Sequence, residues 1–483
     1  MRAGTMRRTM VALATAGILL LSTASTFAVS ASSGTMTITA STTLAEDHVG
    51  GILIETDGVT LDCAGHTVSG PDAGDLNGGI SVHWATGVTV RNCVVSGFDV
   101  NGIYSTGSAG LRLEKNTVVS NDDAGVWLEG LSGGAVVANR LINNGDNGVV
   151  LYTARRVRVE KNVAKNNTSV GILLFGTTGS VVNSNTASGN ATGYSVGSSS
   201  GNVFTNNAAS GSSGPGFWLL EGSHRNVMRA NTSSHNANFG FLLDGADSST
   251  VVGNTAKGNE ADGFMVSGTT AGVFRGNKSV ANQSGGFVFQ GSSRLRVEHN
   301  VAKDNGPNGG NAFAFQGSSH LRIKDNVAKG SPWACFELYD GTHDATLVGN
   351  KASGCGAGFD ISAGAHGNTL RGNTANDNNH GGAPGNGFSL YDTSANVLTG
   401  NTAKGNNNGF LLGPRADANK LTRNTANAND SFGFVAVDGT SNNAFIGNTA
   451  YGNDRSHSDC FDAADGGAGN VWTHNHFGTT SGI

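Results

Sequence analysis

Apolar and polar residues along this chain alternate in short pieces, and the pieces return at a fixed interval. Residues 254–266 read NTAKGNEADGFMV, residues 277–289 NKSVANQSGGFVF and residues 401–412 NTAKGNNNGFLL. Each unit holds three extended pieces. The first follows a glycine, as in GFLLD at Gly240 to Asp244. The second precedes an asparagine, as in LRLEKN at 111–116, VRVEKN at 157–162 and LRVEHN at 295–300, and the third follows it as TAK or VAK. Alternation with a period of two predicts strands, and the Gly and Asn between them predict turns that need unusual backbone angles.

The recurring asparagine runs from Asn92 through Asn116, Asn139 and Asn162 to Asn448 and Asn475, 383 residues in 16 intervals, a mean period of about 24. A repeat of that length signals a solenoid, in which each unit buries its apolar face only against its neighbours. A leucine-rich repeat shares the L-x-L-x-x-N pattern, but it backs its strand with a helix or a longer extended piece. Here that stretch is rich in Gly and Asn and carries another alternating strand, so an all-β, single-stranded right-handed parallel β-helix with three strands per coil is expected. Seventeen coils at roughly 4.8 Å per stacked strand predict a rod roughly 80 Å long. The asparagine is expected to form a ladder in the turn between second and third strands, its amides pairing with backbone and with one another. Phenylalanines after the glycine (Phe217, Phe241, Phe264, Phe287, Phe336, Phe359, Phe388, Phe410, Phe434) are expected to stack inside the coil, with Ile80, Ile103, Val126, Val149 and Ile172 in that place earlier.

These patterns resemble the pectate-lyase-like superfamily of right-handed β-helix proteins, and GVTLDCAGHTVSG at 58–70 is similar to the opening turn of its NosD-type branch. The resemblance covers roughly residues 50–477 and implies the fold. It spans lyases, hydrolases, epimerases, adhesins and binding proteins, so it transfers no catalytic residue.

Ahead of the repeats, Arg2, Arg7 and Arg8 precede the apolar MVALATAGILLLSTA and the small residues of FAVSAS, which predicts a secretion signal over 1–31. A cap is expected over 32–57, the β-helix over 58–477 and a tail over 478–483. The apolar run is too short for a membrane span, so a secreted or cell-envelope protein is expected. A net charge of -5 with 13% charged residues shows no basic footprint for nucleic acid. Export permits disulfides. Cys63 and Cys93 close the similar strings VTLDC and VTVRNC, and Cys335 and Cys355 lie about one repeat apart, so these two pairs are expected to bridge, leaving Cys460 single.

Strand parity divides lumen from surface. Outward on the second strand lie Arg112, Glu114, Arg158, Glu160, Arg296, Glu298, Arg322 and Lys324, and on the third Lys165, Lys257, Lys303 and Lys329, all read as solvated rows. The first strand instead turns out Tyr104, Trp127, Val150, Tyr152, Leu173, Phe175, Trp218, Leu220, Leu242, Met265 and Val288. An apolar stripe of this kind implies a ligand, a cover or self-association; Tyr104, Trp127, Tyr152 and Trp218 suit the apolar faces of sugar rings. Farther on the face turns acidic. CFELYDG, AGFDISAG, NGFSLYD and DCFDAADGG place Glu337, Asp360 and Asp462 at one outward position, Tyr339 and Tyr391 two residues on, and Asp340 and Asp392 at the strand ends.

Glu337 and Asp360 on consecutive coils start roughly 5 Å apart, a spacing that raises one carboxyl pKa and approaches that of retaining glycosidases. Tyr339 and His343 are candidates to position a sugar or relay a proton. The same acids can instead hold Ca²⁺ or simply be solvated. No metal site is assigned: His474 and His476 are only two ligands, and after the signal the only sulfur donors of the copper-handling kind are Met36, Met228 and Met265. The expected partner is a polysaccharide; the alternative is a non-catalytic envelope or adhesive rod that associates through its stripe.

Overall fold

The computed structural model describes residues 27–29, 34–70, 72–379, 385–455 and 461–483. The greater part of the expected signal, and Cys460, lie outside the described residues. Every named element is a strand, most of them three to six residues long. Each pairs in parallel with the equivalent strand one coil away, as Arg112–Glu114 does with Ala135–Val137 and Thr117–Val119 with Arg140–Ile142. The result is a parallel β-helix of about 18 turns, with three sheets running along its length. The first sheet carries strands such as Phe241–Asp244 and Ala334–Tyr339, the second those like Arg112–Glu114, the third those like Thr117–Val119. Strands at Met36–Ile38, Thr42–Leu44 and His48–Val49 already pair with the following coil.

The lumen is a column of stacked rings. Tyr194 begins it, and Phe217, Phe241, Phe264, Phe287, Phe313, Phe336, Phe359, Phe388, Phe410 and Phe434 follow, with centroids 4.5–4.9 Å apart. The ring spacing equals the strand spacing, so each ring covers the next without distorting the sheet. Tyr194 and Phe313 join the expected set; Ile80, Ile103, Val126, Val149 and Ile172 are fully buried where expected. Glycine precedes every stacked phenylalanine except Phe313, which follows Ala312, and Phe336, which follows Cys335, and at the glycine positions space is tight. A Cβ on Gly240 would come within 2.6 Å of Gly263 O and 2.9 Å of Asn259 Nδ2.

The asparagine ladder runs unbroken from Asn116. The Asn116 backbone N–H and Nδ2 both donate to Asn139 Oδ1, at 2.9 and 3.0 Å, while Nδ2 also donates to Val90 O at 3.0 Å. Asn92 is not part of it. Cys93 occupies that place, its N–H donating to Asn116 Oδ1, and Asn92 sits one residue earlier at φ 54°. In later coils this left-handed position is held by Lys115, Ala138, Lys161 and Ser184. Such residues lose about 1–2 kcal/mol there, which the following ladder bonds offset. The second asparagine of each repeat forms a ladder of its own, Asn121 to Asn144 to Asn167 to Asn190.

Both disulfides form as paired, Cys63–Cys93 and Cys335–Cys355. Cys335 takes a place in the glycine column and Cys355 one in the second asparagine ladder, donating its N–H to Asn378 Oδ1. The bridge therefore replaces a glycine–asparagine contact at that coil.

Candidate functional site

The first sheet presents three outward columns, and side-chain chemistry divides it into two regions. In the first region Trp127 and Tyr152 stack at 6.0 Å and Tyr152 and Phe175 at 5.6 Å, with Phe175 42% exposed. Tyr104 donates to Glu129 Oε2 at 3.0 Å. Tyr104, Trp127 and Glu129, with Asn77, Asn101, Asp123 and Asp146, line an open cleft of about 320 Å³. Burial, then the neighbouring Asp123 charge, pushes the Asp146 carboxyl upward. The cleft thus joins Tyr104 and Trp127, and Tyr152 stacks on Trp127. Trp218 stands apart, two coils beyond Leu173 in register, its buried Nε1 without a hydrogen-bond partner. Val150, expected outside, is fully buried between Trp127 and Leu173, whose larger side chains occupy the neighbouring coils.

The second region is acidic. Glu337 and Asp360 are direct partners on adjacent strands, so their side chains leave the backbone in one column, one strand spacing of ~4.8 Å apart. Asn311, at the start of a strand one coil earlier, donates Nδ2 to Glu337 Oε2, its own Oδ1 accepting from Ala334 N at 2.9 Å. Ser389, one coil later, donates Oγ–H to Asp360 Oδ1. Tyr339 and Tyr391 both stand opposite position 362 in the column beside them. No Lys or Arg occurs in the first-sheet strands between Phe264 and Leu390 among the described residues.

Burial, and then the Asp360 charge, raises the Glu337 carboxyl to about 7. Burial also raises Asp360, but the Ser389 and Ser362 hydroxyls act against it. Glu337, the group pushed up to about 7, is therefore protonated below neutral pH and loses its proton as pH rises through that value. Burial, then Glu337, Asp340 and Asp262, pushes the Tyr339 hydroxyl up to about 12, so it is a fixed proton donor. Burial, then Asp360, raises Tyr391 in the same direction.

A stability consequence follows. Because the folded-state value of Glu337 lies above its unfolded one, the native state binds the extra proton between pH ~4.5 and ~7, and stability falls as pH rises through that window. Glu337→Gln is expected to stabilise the protein by on the order of 1 kcal/mol at pH 8, after discounting for solvent screening, and by nothing at pH 4.5. Urea midpoints at the two pH values measure this, and an equal change at both would refute it.

The remaining sequence candidates lie beside this pair or away from it. Asp340 ends the strand at φ 51° and accepts from Gln316 Nε2 at 2.7 Å. Asp392, also at a strand end, pairs with Arg415 at 3.1 Å. His343 lies past the turn, where its Nδ1 donates to Gly341 O and its ring stacks on His366. Asp462 does not share the Glu337 column. Ala463, not Phe461, pairs with Phe434, which puts Asp462 in the glycine column, buried and bonded to Asn453 and Thr479. Residues that sequence reasoning missed are Asn311, Ser389 and Trp333. Trp333 is 61% exposed at the start of the Glu337 strand, and its ring lies over Gly309 of the GPNGG insert. Gly309 has φ 98°, and a Cβ there would come within 3.0 Å of the indole. Insert and indole thus pack together just before the Glu337 strand. Two other long turns, NNHGGAPGN at 378–386 and DRSHSDC at 454–460, lie partly outside the described residues.

Two groups have metal-ligand chemistry. Glu337 and Asp360 offer hard oxygens; His320, His343 and Asp344 place one ligand atom each within 4.8 Å of one another. No helix among the described residues is long and apolar enough to cross a membrane.

Comparison with known proteins gives two family matches. Residues 298–481 match the model for the periplasmic copper-binding protein NosD. Residues 27–187 and 176–328 match the model for the right handed beta helix region. No curated protein matches. Among solved structures, a point mutant of the periplasmic alginate epimerase AlgG is 12% identical, covering 68% of this chain and 78% of its own, with a TM-score of 0.41. An alginate lyase from Paenibacillus sp. str. FPU-7 is 15% identical over 46% of this chain and 94% of its own, at 0.32. The pre-mature bacteriophage phi29 gene product 12 is 9% identical over 93% of this chain and 70% of its own, at 0.47. With residues 27–328 matched by one model, more than half its length, the chain belongs to the family of right-handed β-helix proteins.

Proposed function

We propose that this chain is an exported protein that binds a polysaccharide along the first-sheet face and acts on it at Glu337 and Asp360. The observation that carries the reading is a carboxyl held at about 7 one coil from a second carboxylate, with a hydrogen-bond donor fixed on each. Glu337 supplies the proton to a leaving glycosidic oxygen. Asp360, oriented by Ser389, acts as the nucleophile or base at the spacing of a retaining pair. Tyr339 and Tyr391 donate to sugar hydroxyls, and Trp333 offers a ring face, while the Tyr104–Trp127–Tyr152 group, eight or more coils and roughly 40 Å away, offers ring faces only to distant units of a long chain. Export is supported by the basic and apolar N-terminal sequence and by two disulfides, which persist in oxidising compartments.

The absence of basic residues on these strands favours a neutral or amino-sugar polymer. A uronate would need a bridging Ca²⁺ at Glu337 and Asp360. Among the described residues no grouped thioethers meet the copper named by the second family model: Met228 is buried in the core, and Met36 and Met265 lie in distant coils. Its borderline chemistry fits the imidazole and carboxylate group at 320–344 instead.

The exposed Phe175 favours a second reading, a non-catalytic rod that associates through its stripe. A panel of neutral, amino-sugar and uronate glycans separates the two. Reducing ends without unsaturated product mark a hydrolase, and unsaturated product marks a lyase. No product on any glycan, with concentration-dependent association in sedimentation, would establish the rod instead.

A further inference from the structure

We propose that His320, His343 and Asp344, with His366 beside them, form a surface site for a borderline divalent transition-metal ion such as Cu²⁺ or Zn²⁺. The site lies at the turn between first and second sheets. Its backbone is fixed by the coil repeat, since Ser319, His343, His366 and Ser394 bridge one another in parallel on successive coils. One residue on, His320 and Asp344 occupy the left-handed position of consecutive turns, at φ 54° each, and His320 N donates to His343 O. The four side chains therefore fall on three successive coils, with His320 and Asp344 adjacent in one column, His343 and His366 adjacent in the next, and His343 beside Asp344 on the middle coil.

The tautomers are set by the backbone. His343 Nδ1 lies 3.0 Å from Gly341 O and His366 Nδ1 lies 2.9 Å from Gly364 O. A carbonyl only accepts, so each Nδ1 carries the proton, and each Nε2 presents its lone pair outward. A carbonyl on the far ring nitrogen is the arrangement found behind metal-bound imidazoles. The His343 and His366 rings are parallel within 8° at 5.2 Å, and His320 Nε2 lies 3.8 Å from Asp344 Oδ2.

The ligand atoms of His320, His343 and Asp344 all lie within 4.8 Å of one another. Bonds of roughly 2.0–2.1 Å in a tetrahedral shell need ligand separations of ~3.3 Å, which small rotations of these half-buried and exposed side chains supply. An open cleft of about 490 Å³, lined by His320 and Asp344, leaves room for water or substrate at a fourth position. Two imidazoles and one carboxylate suit Cu²⁺ or Zn²⁺; a hard ion such as Ca²⁺ prefers six or more oxygens. Arg322, Lys324 and Arg371, which line the same cleft, further disfavour an ion held by charge alone.

The test uses the untagged full chain, stripped with chelator and titrated with Cu²⁺ and, separately, Zn²⁺ by calorimetry, with electron paramagnetic resonance on the Cu²⁺ form. The expected result is one equivalent bound with nitrogen hyperfine structure. His320→Ala, His343→Ala and Asp344→Asn should each weaken binding at least about tenfold, and each histidine variant should lose one nitrogen from the spectrum. His476→Ala, exposed on the last coil, should change neither. Unchanged circular dichroism would show that the variants fold. Absence of saturable binding, or an affinity and spectrum unaltered in His343→Ala, overturns the proposal.

Discussion

Glu337→Gln is expected to lower kcat on the cleaved glycan by about 10³-fold, with KM changed little, because it removes a proton donor used only in the transition state. Glutamine keeps the shape and still accepts from Asn311 Nδ2, so binding survives. Asp360→Asn is expected to cost as much or more, since it removes the charge that meets the developing cation. The double variant should be no worse than the poorer single one, because the two groups act as a unit. In the wild type the alkaline limb of kcat/KM against pH should fall through about 7 as Glu337 of the free protein loses its proton. The acid limb belongs to Asp360. Glu337→Gln should abolish the alkaline limb in whatever activity remains. Full activity in the double variant, or an alkaline limb that persists in Glu337→Gln, would remove these residues from the chemistry.

How much of this was legible in the sequence depends on how far each signal repeats. The coil was legible because one register is written many times, so a single ambiguous position is outvoted. Where the repeat lapses the reading slips. Asn92 looked like a ladder residue because it precedes a third strand, yet Cys93 holds the ladder place and Asn92 the left-handed turn before it. Asp462 was set two residues out of register because Phe461 resembles the stacked phenylalanines, while Ala463 takes that place. The pairing of Glu337 with Asp360 was legible from parity within one strand and spacing between two.

Their partners were not legible. Asn311 and Ser389 reach the carboxylates from 26 and 29 residues away, across coils lengthened by inserts, and neither residue type carries a signal of its own. His343 follows the acids closely in sequence, but the positive φ at Asp340 turns the chain off the sheet before it is reached. The same turn brought it to His320 and His366, a neighbourhood that needs the coil height as well as the sequence.

Removing one ladder amide from the middle of the rod is expected to be the most damaging structural change. Asn277 is fully buried. Its Oδ1 accepts from Asn254 N at 2.9 Å and Asn254 Nδ2 at 3.1 Å, and its Nδ2 donates to Val251 O at 2.8 Å and Asn300 Oδ1 at 3.0 Å. Asn277→Ala leaves the Asn254 backbone N–H unpaired in a dry interior, removes the amide donor from Val251 O and breaks the polarised chain of amides on both sides, a loss of about 3 kcal/mol. Asn277→Asp is expected to do no better, because a carboxylate can accept but cannot donate to Val251 O or Asn300 Oδ1. Asn308→Ala, on the exposed insert, should stay within about 0.5 kcal/mol of wild type. Since each coil is stabilised only by its neighbours, the loss should show as a lower urea midpoint and as new protease cleavage near residue 277, with the outer coils still protected. A midpoint for Asn277→Ala that matches Asn308→Ala would mean that sheet bonds and the phenylalanine stack alone hold the coils together, and that the asparagines are only tolerated in the turns.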